Sequence, residues 1–377
     1  MNFSPLNKFF SLFSHDIGID LGTANTLVFV KDKGIVIREP SVVAKHRKTK
    51  RIIAIGTDAK RMLGKTPASI QTIRPLRGGV ITDFDATEAM IAHYIKQVHE
   101  MGGALPRLLA RPKVVIGIPS AVTEVERRAV WEAALGAGAR EAYLIEEPMA
   151  AAIGEGIEIF QSRGAMVVDI GGGTTEIAVI SLGGIVVGRS LRAAGDDMDQ
   201  AILHYIRLRH GLLLGERTAE QIKMKIGSAY KRTVKVESAK AKEAEEKKEK
   251  EVKSNSQLDK VMIVRGRDIE TGLPKSLKIT EAEIREALSP ILSQVTQAVA
   301  DVLEETPPEL LPDILEQGIL LTGGGAQLSG LDQLLVERIH MPVVVSDDSL
   351  TSVVRGTGRV LEDPELLERV KVIGGLR

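Results

Sequence analysis

Ile17-Gly18-Ile19-Asp20-Leu21-Gly22-Thr23-Ala24-Asn25-Thr26-Leu27-Val28-Phe29-Val30 reads as an apolar strand, a turn of small residues and a second apolar strand. Met166-Val167-Val168-Asp169-Ile170-Gly171-Gly172-Gly173-Thr174-Thr175-Glu176-Ile177-Ala178-Val179 repeats that plan. Each copy places an aspartate at the end of its first strand, immediately before the turn. Such self-similarity marks an internal duplication and implies two related domains. Turns rich in Gly and Thr offer backbone N–H groups and hydroxyls to phosphate oxygens, with no bulky side chain in the way. The aspartates supply hard oxygen ligands, and Mg²⁺ on nucleotide phosphates is usually held by one or two carboxylates plus waters. One Gly-rich hairpin is more often an ordinary turn than a site. Two copies with aspartates in register predict a cleft that clamps one triphosphate between two domains.

Working outward, Lys113 to Pro119 is a buried strand leading to a helix near Thr123, where Thr123 and Glu126 have capping-box spacing. That helix runs to about Gly136. The strand Tyr143-Leu144-Ile145 follows, and Pro148 opens another helix. Late in the chain come the strand Gly318 to Thr322, the triplet Gly323-Gly324-Gly325, a helix through Leu335, the strand Pro342 to Val345 and a helix from Leu350. Strands alternating with helices predict α/β domains with largely parallel sheet. Gly154-Glu155-Gly156 and Gly356-Thr357-Gly358 start a dinucleotide fingerprint but continue to Ile159 and Leu361 instead of glycine. Gly64-Lys65-Thr66 resembles the end of a Walker A loop, but the glycine required upstream falls on Ala59.

Composition narrows the function classes. The chain has 377 residues, 44% of them hydrophobic, with 50 basic and 50 acidic side chains. That is room for two cores and gives no overall pull toward nucleic acid, so no nucleic-acid partner is expected. The absence of cysteine excludes disulfides and thiolate metal sites and suits a reducing compartment. The seven histidines show no ligand-like spacing. No apolar run reaches the roughly 18 residues of a membrane span, and no secretory signal is expected.

Five motifs together carry a resemblance: Asp20-Leu21-Gly22-Thr23-Ala24-Asn25-Thr26, Ile145-Glu146-Glu147-Pro148-Met149-Ala150-Ala151-Ala152-Ile153-Gly154, Asp169 to Glu176, Gly215-Glu216-Arg217-Thr218-Ala219-Glu220 and Leu321-Thr322-Gly323-Gly324-Gly325. They resemble the ATPase superfamily of actin, heat-shock chaperones and sugar kinases, and within it the MreB family of rod-shape-determining bacterial actin homologues. The resemblance runs from about Asp16 to Gly358. It implies a duplicated, ribonuclease H-like α/β fold with the nucleotide in a central cleft. It further implies ATP, or GTP in its place, with Mg²⁺; slow hydrolysis coupled to polymerisation; and cell-wall elongation proteins as partners at the inner face of the membrane.

Residue by residue, the resemblance makes Gly22, Thr23, Ala24 and Asn25 the first phosphate loop, and Gly171, Gly172, Gly173 and Thr174 the second. Asp20 and Asp169 would hold Mg²⁺ through water. Glu147, at a helix start fixed by Pro148 at the first helical position, would orient the attacking water, with Thr174 as its second contact and Glu146 as the fallback. Gly215, Glu216, Arg217, Thr218 and Ala219 would line adenine and ribose on one side, with Gly323, Gly324, Gly325 and Ala326 on the other. A plain reading of Glu147 remains open, as a helix N-terminal acid facing the macrodipole.

Phe3, Leu6, Phe10 and Phe13 fall at helical spacing with Phe9 beside them, an apolar stripe suited to a membrane surface. A second apolar group, Leu105, Leu108 and Leu109, lies where the family places a membrane-insertion loop, and many weak anchors on one polymer give avidity. Expected boundaries are 1–13 for the membrane-binding segment, 14–152 with 341–377 for the first domain, and 153–340 for the second. The smaller subdomains are expected at 34–80 and 190–275. Residues 231–260, in which Lys242 to Glu251 is nearly pure charge, read as a solvated insert. Two rivals share the fold. A small-molecule kinase would need a carboxylate base beside an acceptor hydroxyl, for which only Glu147 offers itself. A chaperone ATPase would need a peptide-binding domain, for which no room is expected before Arg377.

Overall fold

In the computed structural model, which describes residues 14–101, 111–231 and 260–372, each hairpin becomes the centre of a five-stranded sheet. The first sheet runs Glu141–Glu146, Lys113–Ile118, Ile17–Leu21, Asn25–Val30, Gly34–Pro40. The second runs Gly184–Leu191, Thr175–Ser181, Ala165–Ile170, Ile319–Thr322, Val343–Val345. On one side of each lead strand the pairings are antiparallel and on the other parallel. The sheets are therefore mixed, not largely parallel as expected. Tight turns can join only antiparallel neighbours, while the parallel strands arrive through helical crossovers.

Local chemistry explains several boundaries. The helix Glu124–Gly136 starts on a complete capping box, with Glu126 N–H donating to Thr123 Oγ1 at 3.3 Å and Thr123 N–H donating to Glu126 Oε2 at 2.7 Å. In the helix Glu147–Glu155 the N-cap is Glu146, so Glu147 itself takes the first helical position and Pro148 the second. Proline is tolerated there because the first four helical N–H groups have no partner inside the helix. The helix expected to run from the glycine triplet through Leu335 is split: a 3₁₀ turn covers Gly324–Gln327, and an α-helix covers Leu331–Ile339. Gly330, at φ +77°, separates the two.

The layers are helix, sheet, helix pair, sheet, helix. Phe84–Met101 and Glu124–Gly136 share a core with the outer face of the first sheet, and Gly195–His210 and Glu281–Glu305 share one with the second. Between the sheets lie Glu147–Glu155 and Ser352–Glu362, which share an apolar core with Val115 and Ile145 of the first sheet and Val167, Ala178 and Ile180 of the second. Val343–Val345 pairs within the second sheet, so the chain past the expected boundary at 341 continues that domain before Ser352–Glu362 packs on the first sheet.

Two smaller three-stranded sheets complete the fold. One is Ile52–Ile55, Val43–His46 and Ile70–Ile73; the other is Leu212–Leu213, Val261–Asp268 and Pro274–Thr280. Salt bridges join the two sides: Lys60 to Glu220 at 2.9 Å and Arg74 to Asp196 at 3.4 Å. Among the described residues no helix is long and apolar enough to cross a membrane. Phe3, Leu6, Phe9, Phe10, Phe13, Leu105, Leu108 and Leu109 lie outside the described residues, as does the charged insert between Lys231 and Lys260.

Candidate active site

The duplication brings its two turns into contact. A Cβ on Gly172 would stand 2.6 Å from the Cβ of Ala24, so only glycine lets the backbones approach this closely. Thr23 is buried, and its Oγ1 accepts from Gly79 N–H at 3.3 Å. The second turn is held from behind. Gly171 and Gly172 carbonyls accept from Gly195 and Asp196 N–H at 3.1 and 2.7 Å, which aims the positive end of the helix Gly195–His210 at that turn.

Acids converge beside these turns. Asp20 and Asp169 are each the penultimate residue of a lead strand. Burial, then the charge of Asp169, push the Asp20 carboxyl up to about 8. Burial pushes Asp169 up to about 6, against the hydrogen bond that Thr322 Oγ1 donates to it at 2.8 Å. Glu147 is 8% exposed. Its carboxyl is raised well above the ordinary range, first by burial and then by Glu176, Asp169 and Asp20. At such a site the helix N-terminus, which favours the charged form, is outweighed. Glu176 is raised to about 7 by burial, even though Ser190 Oγ donates to it at 2.5 Å and Ser120 N–H at 3.1 Å. Glu146 is half-buried and also raised by burial, with Arg127 opposing.

Three buried carboxyls, Glu147, Asp169 and Glu176, and the half-buried Asp20 have no basic side chain among their close influences, a donor set whose chemistry suits a cation. Among the described residues no three or more His, Asp or Glu are arranged as a metal cage. Two facing aspartates fit a magnesium ion that keeps waters and phosphate oxygens as its other ligands, and they do not fit an all-protein calcium site.

These shifts set a pH dependence. The folded chain keeps protons on Asp20, Asp169 and Glu176 at pH values where the unfolded chain, with ordinary carboxyls near 4, has lost them. The native state therefore binds more protons, and stability falls as pH rises from about 4 to about 8. Thermal melts in a chelator should show the midpoint dropping across that window. A midpoint that rises from pH 5 to pH 8 would contradict the crowding of acids.

The glycine-led helix is reached only in part. Gly215 is the N-cap of Glu216–Ile226, with Gly215, Glu216 and Arg217 exposed and Thr218 half-buried. Ala219 points into the protein. It is fully buried in the second domain's core with Ile222 and Ile226, because spacings of three and four put all three on one helix face. Ala326 likewise packs into that core, while Gly324 is exposed. Glu176 was not singled out from the sequence. It sits inside the second turn's own motif, and only its strand register and its contact with Ser120 bring it to the acids.

A family model described as MreB/Mbl protein matches residues 14–242 and 234–369. The chain belongs to the MreB/Mbl family. It is 50% identical, over 95% of its length and 96% of the relative's, to the cell shape-determining protein MreB of Escherichia coli K12. It is 45% identical, over 96% of its length and 100% of the relative's, to the cell shape-determining protein Mbl of Bacillus subtilis 168. Among solved structures it resembles MreB5 of Spiroplasma citri bound to ADP, with TM-score 0.82, 37% identity, and 94% of this chain and 98% of that one covered. The same Spiroplasma protein bound to AMPPNP gives TM-score 0.81 at 36% identity, over 95% and 98% of the two chains. The fold of this MreB/Mbl-family chain is the actin-like one.

Proposed function

We propose that this chain is an ATPase that polymerises with Mg·ATP, lies on the inner face of the cell membrane and maintains rod shape by organising peptidoglycan synthesis. The observation that carries the reading is the meeting of two Asp-led turns beside the buried Glu147. Full-length relatives named for cell shape, and an adenine nucleotide in the Spiroplasma protein, support it.

The residues divide the work as follows. Backbone N–H groups of Thr23 to Asn25 and Gly171 to Thr174 take the phosphate oxygens, and Asp20 and Asp169 would hold Mg²⁺. Bound Mg²⁺ would neutralise charge developing on the phosphoryl oxygens. Glu147, kept basic by its acidic surroundings, orients the attacking water and accepts its proton, and the Thr174 hydroxyl limits where that water sits. Positioning and charge stabilisation supply most of the rate in phosphoryl transfer, so no covalent nucleophile is required. Lys60–Glu220 and Arg74–Asp196 tie the two sides together and would favour a closed cleft, the form expected to favour longitudinal contacts between copies.

Sedimentation and electron microscopy with ATP and Mg²⁺, with and without anionic vesicles, test the whole reading. Filaments that require nucleotide and magnesium are expected. A protein that binds no nucleotide and forms no polymer under any of these conditions would remove it.

A further inference from the structure

Strand register exposes a difference between the two halves of the duplication. In the second hairpin Glu176 stands opposite Asp169, and Ser190 stands opposite Glu176 on the other side. In the first hairpin the corresponding positions are Leu27, opposite Asp20, and Arg38, opposite Leu27. Leu27 is 6% exposed and Glu176 is 1% exposed. The hairpin is thus satisfied by a buried leucine, and burying a carboxylate beside another carboxylate costs free energy that the fold does not require. Its contacts say what it is for. Ser190 Oγ donates to Oε1, and Ser120 N–H donates to Oε2 at 3.1 Å. Ser190 belongs to the second domain. Ser120 follows the first-sheet strand Lys113–Ile118, which pairs in parallel with Glu141–Glu146, Ile118 opposite Glu146. Ser120 and Glu147 therefore leave neighbouring strand ends, and the bond to Glu176 crosses from one domain to the other at the level of the acids.

We propose that Glu176 is a positioning residue, a strut that ties Ser120 to the second hairpin and so holds Glu147 at the separation from the Gly171–Thr174 turn that hydrolysis needs. The inference rests on the ATPase reading above and assigns that site a residue the reading did not use. When the cleft closes on nucleotide, the strut registers Glu147 and Thr174 against each other; without it the cleft still binds nucleotide but holds its water loosely.

The test compares full-length wild type, E176L and E176Q for Mg·ATP affinity, single-turnover hydrolysis and thermal midpoint. E176L copies the sister hairpin and should fold, melt at or above the wild-type midpoint and bind Mg·ATP normally. Its hydrolysis should fall about 10- to 100-fold, the size of effect that a displacement near 1 Å produces. In E176Q the amide oxygen still accepts from Ser120 N–H while the amide nitrogen donates to Ser190 Oγ, so hydrolysis should recover to within about fivefold of wild type. Unchanged hydrolysis in E176L would overturn the proposal. So would an E176Q as slow as E176L, which would assign the effect to charge, or a loss of folding or of ATP binding in step with the rate, which would make the role merely structural. A wild type that binds but does not hydrolyse ATP would instead overturn the ATPase reading, a failure visible before either variant is compared.

Discussion

Replacing Glu147 with alanine is expected to slow ATP hydrolysis by about 10²- to 10⁴-fold, the range for a positioned general base, with ATP affinity unchanged or tighter. The asymmetry has a physical cause. Glu147 lies among Glu176, Asp169 and Asp20, so it offers the phosphates no attraction in the ground state and helps only when the water's proton departs. A lower kcat without a weaker Kd is the signature of an interaction made in the transition state alone. The same substitution removes a buried carboxylate from a crowd of four, so the metal-free variant should melt higher than wild type at pH 8. If Glu147 were only an acid at the helix N-terminus, the variant would lose stability by roughly 0.3–1 kcal/mol and keep its rate. Single-turnover hydrolysis with nucleotide titration separates the two. A near-wild-type rate for Glu147→Ala with a large loss for Glu146→Ala would move the role to Glu146, whose carboxyl lies near Arg127.

Gly356→Val is expected to destabilise the chain by about 3 kcal/mol or more, at or beyond the upper end of ordinary overpacking. Ser352–Glu362 meets Glu147–Glu155 at two glycines: a Cβ on Gly356 would overlap the Ala150 carbonyl oxygen, and one on Gly154 would overlap the Ser352 carbonyl oxygen. Backbone, not a flexible side chain, occupies the space, so relief requires the helices to separate. Those helices fill the layer between the sheets, so separation would open the apolar core they share with both. Replacing glycine by valine inside a helix recovers less than about 1 kcal/mol of propensity, which does not offset the clash. Calorimetry should show a midpoint lower by roughly 4 °C or more. Any folded fraction should hydrolyse ATP slowly, because Glu147 begins one of the displaced helices. A midpoint within a degree of wild type would mean that the helices slide apart freely.

Those two glycines belong to Gly154-Glu155-Gly156 and Gly356-Thr357-Gly358, which in one dimension look like failed nucleotide fingerprints. Their use is a backbone crossing between residues about two hundred positions apart, as the neighbouring Arg355–Glu155 bond, at a separation of 200, illustrates. Ala219 and Ala326 were assigned to the ligand because they fall inside motifs, yet helix phase and core packing turn both inward. Glu176 was missed for the opposite reason: its neighbours along the chain explain nothing, and its neighbour across the cleft, Ser120, is 56 residues away.

The sequence alone determined what nearest neighbours encode: the two Asp-led hairpins, the capping box at Thr123, the strand that delivers Glu147 and the duplication that demands two similar domains. These are local, because strand period, turn chemistry and helix caps depend on a few adjacent residues. Tertiary structure alone decided which acids share a site, which glycines are crossings and which alanines are core. It also formed the ion pairs Lys60–Glu220 and Arg74–Asp196, between residues 160 and 122 positions apart. Such contacts form only when two sheets close on one shared pair of helices, a long-range packing that no short stretch of chain specifies.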